Sequence, residues 1–145
     1  MIAVDTNLLV YAHRKDSPWH DRALRVLVRL AEGTRPWAIP WPVVHEFLAV
    51  ATHPRIFIPP TPLPTALDAI RAWIGMPHCR LIGEGPGYFD LLDALAVDHK
   101  VSGPLVHDLR IVAICLHNGA SELWSADRDF SRFPTLKSVN PLHAH

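Results

Sequence analysis

The sequence predicts an α/β fold on a parallel sheet, and three observations lead there. Ile2-Ala3-Val4 is a short apolar run without alternation, as strands covered on both faces are, and Trp37–Pro40 and Cys79–Ile82 read as further short strands. Longer amphipathic stretches separate these runs, which is the pattern of strand-helix-strand crossovers. Acids stand just past two of the expected strands, Asp5 after the first and Asp127 after Ala120–Trp124, and in open α/β sheets ligands gather at the carboxyl ends of strands.

Composition sets the outer bounds. The 145 residues fit one domain over 1–145, with 140–145 as a flexible tail, and 49% apolar residues suffice for a core without staples. No segment approaches the ~20 apolar residues of a bilayer span, and the N-terminus lacks the basic-then-apolar order of a signal peptide, so a cytoplasmic protein is expected. Cys79 and Cys115 show no paired spacing and read as reduced core thiols. Lys plus Arg equal Asp plus Glu at 14 each, so a strongly basic nucleic-acid binder is excluded and any polyanion must be met by local patches or metal ions.

Taken in order, the elements follow from local signals. Thr6-Asn7 releases the chain from the first strand into a helix at Leu8–Tyr11. Ser17-Pro18 is a helix start, after which Ala23, Val26, Leu27 and Leu30 recur at helical spacing up to Gly33. The other side of that helix carries Arg22, Arg25 and Arg29, which with Arg14 and Lys15 form the strongest basic patch; a solvated face is favoured over phosphate contact. Pro42 opens a helix to about Thr52, and Glu46 interrupts its apolar stripe of Val43, Val44, Phe47, Leu48 and Ala51. An acid there either answers the helix dipole or points over the sheet edge as a ligand. Ala49 stands where HExxH needs its second His, so a zincin site is excluded.

Pro54, Pro59, Pro60, Pro62 and Pro64 make residues 53–64 a stiff surface connection. A helix follows with Leu67, Ile70, Trp73 and Ile74 on one side and Gly75 at its end. The glycine-rich turn 83–87 lacks the Lys-Ser/Thr pair of a phosphate loop and reads as a connector to a helix bearing Tyr88, Leu91, Leu92, Leu95 and Ala96. Asp108 lies early in an apolar helix that runs to His117 and ends at Asn118-Gly119. A carboxylate among buried residues costs several kcal/mol unless paired or bound to a cation. After the strand at 120–124, Ser125-Ala126-Asp127-Arg128-Asp129 repeats the grammar of the N-terminus. Val139 lies in a final short strand, and His143 and His145 are read as solvated rather than metal-bound.

The chain resembles the PIN-domain ribonucleases, and among them the VapC-type toxins of toxin-antitoxin pairs. The resemblance rests on V-D-T-N at Val4–Asn7, on Glu46 in its helix, on H-D-x-x-x-x-A from His107 to Ala113, and on S-A-D-R-D-F at Ser125–Phe130 before Phe133-Pro134. Ser125 and Leu109 stand where the family often has Thr and Ala; Ser keeps the hydroxyl, and Leu109 alters only packing. The resemblance implies a three-layer α/β/α sandwich on a mostly parallel sheet, an acidic set of Asp5, Glu46, Asp108 and Asp127 with Asp129 as auxiliary, and an RNA substrate cut by metal-activated water. It further implies a homodimer and a cognate antitoxin whose basic side chain meets the acids, with Trp19, Trp37 and Trp41 as candidates to line the antitoxin groove, although core packing suits most of them.

Chemistry supplies an independent reason for such a set. Converging carboxylates repel and partly protonate, whereas Mg²⁺ or Mn²⁺, hard cations that prefer oxygen, remove that strain. Asp5 and Asp108 are then the principal ligands, Glu46 and Asp127 further ones, and Asp129 a weaker contributor. Thr6, Asn7 and Ser125 are candidates for hydrogen bonds that orient carboxylates or phosphate. Two alternatives stand beside this: an acidic-pocket domain that binds RNA or a partner without cutting, and a haloacid-dehalogenase-like phosphatase, which needs an Asp where Asn7 stands.

Overall fold

The computed structural model describes residues 1–143. Its strands are β1 (Ile2–Val4), β2 (Trp37–Pro40), β3 (Cys79–Ile82), β4 (Glu122–Trp124) and β5 (Lys137–Val139). They form one sheet in the order β3-β2-β1-β4-β5, and every neighbouring pair is parallel. Six helices connect them: α1 (Thr6–His13), α2 (His20–Glu32), α3 (Trp41–Ala51), α4 (Leu63–Ile74), α5 (Tyr88–Asp98) and α6 (Leu105–His117).

The order of strands decides where the helices lie. From β1 the chain steps outward to β2 and β3, then turns back past β1 to reach β4 and β5. Parallel crossovers are right-handed, so reversing direction moves the connecting helices to the opposite face. Accordingly α1, α3 and α4 pack in series on one side, while α5 and α6 pack together on the other. The sheet is covered twice, which is why Trp37, Ala38, Ile39, Ala3, Val4 and Leu123 are all fully buried and why these strands read as unbroken apolar runs. The reversal falls between β1 and β4, and a crevice opens there at their carboxyl ends.

Several local signals act a few residues from where the sequence places them. Ser17-Pro18 does not start α2: the Ser17 hydroxyl accepts the Trp19 N–H at 3.1 Å and its carbonyl accepts that of His20, making a turn before the helix begins at His20. The buried face of α4 is Ala66, Ile70 and Trp73 rather than a stripe ending on Ile74, because Trp73 packs edge-on to Phe47 of α3 at 4.9 Å and so fixes the rotation of the helix. Gly119 takes the left-handed conformation (φ 76°) that stops α6 and turns the chain into β4. Both thiols are free, and burial pushes Cys115 up to about 12 and Cys79 to about 11, the state of inert thiols.

Residues 140–143, expected as the start of a loose tail, instead dock. Pro141–His143 forms a 3₁₀ turn against α2 with Pro141 and Leu142 buried, and Arg22 donates to the Leu142 carbonyl at 3.1 Å. His145 lies outside the described residues. Leu142→Ala should therefore lower stability by about 2–5 kcal/mol, the cost of emptying a filled core position, read as a lower urea midpoint. An unchanged midpoint would contradict the docked segment.

Candidate active site

Asp5 occupies the first position beyond β1, and its backbone N–H extends the ladder by donating to the Trp124 carbonyl at 3.0 Å. It is also the residue before α1, yet its side chain makes no capping hydrogen bond. The carboxylate faces sideways toward β4. Ser125 Oγ donates to Oδ2 at 2.7 Å, and the Asn7 amide donates to the same oxygen at 3.4 Å. Ser125 Oγ in turn accepts from the Asp127 N–H at 3.0 Å and from Asn7 Nδ2 at 3.3 Å, while Asn7 Oδ1 accepts from the Ala126 N–H at 3.1 Å. Asn7 and Ser125 thus staple the loop after β4 to the loop after β1. Asp127 starts a 3₁₀ turn, Arg128–Arg132, by accepting the Asp129 N–H at 2.9 Å.

The other two acids arrive on helices. Glu46 lies midway along α3, and Asp108 lies in the first turn of α6. With Asp5 and Asp127 they line one cleft of about 270 Å³. Asp108 and Asp127 of this lining, with Asp129 beside them, each present a ligand atom, all within 4.8 Å of one another. Asp5 and Glu46 stand outside that trio, and Asp129, expected as an auxiliary, stands inside it. Among the described residues none of the five is in a salt bridge with a Lys or Arg.

Uncompensated charge shows in the proton affinities. Burial raises Asp5 to about 6, with Glu46 and Asp127 pushing the same way and the Ser125 hydroxyl and Thr6 backbone N–H opposing. Asp108 is raised too, first by burial and then by Asp127, Asp129 and Glu46. Thr6 departs from its expected role: the residue borders the cleft, but its hydroxyl is buried and makes no hydrogen bond, so it orients no carboxylate. A cleft edged by three carboxylates whose oxygens lie this close fits a hard, oxygen-seeking divalent cation.

The rest of the lining is apolar and includes residues that sequence reasoning passed over. Tyr11 of α1 belongs to it, as do Ile56 and Phe57 from the proline-rich connection read as a mere link. The run Ile56-Phe57-Ile58, apolar side chains in succession within a largely prolyl loop, was the available signal. No tryptophan lines this cleft: Trp37 is buried in the sheet, Trp19 packs edge-on to His143 at 5.8 Å, and Trp41 is exposed. Of the expected basic patch, Arg22, Arg25 and Arg29 stay exposed together along α2 and border one depression, Arg22 also holding the C-terminal turn, whereas Arg14 is tied to Asp16 and Thr61.

Residues 2–136 match the PIN domain family. The chain belongs to that family. Among relatives of this PIN-domain chain, Ribonuclease VapC48 of Mycobacterium tuberculosis is 34% identical over 138 residues, covering 95% of each chain. Ribonuclease VapC43 of the same species is 36% identical over 142 residues, 98% of this chain and 96% of the relative. Two crystal structures share the fold: VapBC2 from Rickettsia felis bound to a promoter DNA fragment, with a TM-score of 0.70 at 20% identity over 96% of this chain and 98% of that one, and Mycobacterium tuberculosis VapC20, a sarcin-ricin-loop cleaving toxin, with 0.65 at 16% over 90% and 93%. Family membership and the engagement of Asn7 in the two-loop staple leave no place for the phosphatase alternative.

The raised affinity of Asp5 has a definite sign in stability. Its folded value, about 6, lies above the usual carboxylate value of 3.8, so the folded protein binds more protons and stability from this group falls as pH rises from about 4 to about 6. In metal-free protein Asp5→Asn should therefore gain relative to the wild type across that window, by up to about 3 kcal/mol at 1.36 kcal/mol per unit, in paired urea titrations. A wild type that gains relative to Asp5→Asn would contradict the burial argument.

Proposed function

We propose that this chain is a metal-dependent endoribonuclease, the toxin of a type II toxin-antitoxin pair, acting as a single domain in the cytoplasm where its RNA lies. The observation that carries the reading is the convergence of Asp108, Asp127 and Asp129 within 4.8 Å, beside Asp5 at the point where the sheet reverses. Its PIN-domain relatives are named ribonucleases, which supplies the substrate class.

In this reading Asp108, Asp127 and Asp129 would hold Mg²⁺ or Mn²⁺, with Asp5 and Glu46 as further ligands directly or through water. Such an ion would supply a water of lowered pKa and offset charge on the phosphate. Ser125 and Asn7 hold the Asp5 carboxylate in one orientation, so no reorganisation is needed when substrate arrives. Glu46, exposed and without a salt-bridge partner among the described residues, is placed to take the proton of the attacking water. Hydrolysis then adds hydroxide to phosphorus, breaks the P–O bond, and returns a proton to the departing ribose oxygen.

The partners follow from the same acids. A cognate antitoxin closes the site by placing a basic side chain among carboxylates that, among the described residues, form no salt bridge with Lys or Arg. A homodimer has apolar surface available on α5, where Phe89 and Val97 are each 72% exposed.

The purified protein should cut labelled RNA with Mn²⁺ and stop when chelator is added. Asp108→Asn and Asp127→Asn should each lose roughly 10²- to 10³-fold in kcat, the scale for removing one electrostatic stabiliser. RNA binding without cutting by the intact protein would establish the binding-module reading instead, and cutting that survives Asp108→Asn would place the chemistry elsewhere.

A further inference from the structure

The catalytic cleft is lined by two chemistries, and the acids use only one of them. RNA repeats the same duality, a charged phosphate joined to a base with flat apolar faces. Phe57 is the apolar lining residue with the most elaborate support. It is half-buried, its neighbour Ile56 is 52% exposed, and both border the pocket that holds Asp5, Glu46, Asp108 and Asp127.

The ring is held by polar anchors that take no part in the acidic site. The Arg14 guanidinium carbon lies 4.3 Å from the ring centroid. Arg14 is fixed in turn by two hydrogen bonds to Asp16, at 2.9 and 2.6 Å, and by one to the Thr61 hydroxyl at 3.2 Å. Thr61 is itself buried, and its N–H donates to the Ala51 carbonyl at 2.8 Å, tying the loop back to α3, the helix that carries Glu46. The aromatic surface and an acid of the cleft are therefore set on one scaffold. A ring left half-open beside the acidic site and braced by a guanidinium that is itself paired with Asp16 suits stacking on a flat base.

We infer that Phe57 is a specificity-determining residue that stacks on an unpaired base of the nucleotide next to the scissile phosphate. This rests on the nuclease reading above. It follows that the chain cuts where that base has left a duplex, since a paired and stacked base offers no free face.

The test uses an unpaired RNA that the wild-type protein cuts, with its cleavage position mapped, and versions lacking the base on either side of the cut. Phe57→Ala should raise KM about 5- to 150-fold, with kcat changed little. Phe57→Tyr, which keeps a flat ring, should restore the wild-type KM. On the RNA lacking the stacked base, wild type and Phe57→Ala should be equal. Circular dichroism and urea midpoints of the variants confirm folding. A KM unchanged in Phe57→Ala, or an equal penalty on intact and base-free RNA, overturns the stacking role while leaving wild-type cleavage, and so the nuclease reading, intact. Absence of wild-type cleavage would instead remove the nuclease reading itself.

Discussion

Negative charge collected where the sheet changes direction is the constraint on which the structure depends. β1 and β4 are neighbours, and the chain that follows each carries an acid into the same crevice. Helices from opposite faces then add Glu46 and Asp108. No Lys or Arg among the described residues forms a salt bridge with these acids, and Asp5, at 5% exposure, has no water to spread its charge into. Like charges in a low-dielectric site persist only if protonated or met by a cation, and the upward shifts of Asp5 and Asp108 are the first of those outcomes.

That tension explains why so much polar structure surrounds one carboxylate. Ser125 and Asn7 form a small network that ties two loops and holds Asp5 in a single orientation, and each of its hydrogen bonds offsets part of the cost of burial. Without these bonds the two loops would be joined only through the sheet behind them. The network is therefore both structural and functional: it fixes loop geometry and the direction in which a ligand meets the acid. The Arg14-Asp16-Thr61 cluster does the same for the proline-rich loop on the far side of α1, so the apolar and acidic parts of the cleft are each positioned by their own hydrogen bonds.

Much of this was legible in the sequence because the signals are local. The first two strands show as short apolar runs, and Asp5 and Asp127 stand out because the same acid-after-strand pattern occurs twice, although either acid alone could serve only as a helix cap. Asp108 was readable as a charge in an apolar helix. What escaped was non-local. The composition of Pro54–Pro64 says that the segment is stiff but not that it folds over the cleft, so Ile56 and Phe57 went unnoticed. The docking of Leu142 depends on α2 offering Arg22 and an apolar groove at the right height, which no pattern within residues 140–143 contains. The prominence of Asp129 likewise depends on the 3₁₀ turn, whose tight winding brings its carboxylate alongside that of Asp127.

The most direct measurement is a crystal structure of the protein soaked in Mn²⁺, with the metal located by its anomalous scattering. The account requires a peak inside the cleft, coordinated by oxygens of Asp108, Asp127 or Asp129 and by Asp5 directly or through water, and lost in crystals of Asp108→Asn. A cleft without metal at millimolar Mn²⁺, or a peak held by residues outside it, would contradict the central claim that these carboxylates are gathered to bind a cation.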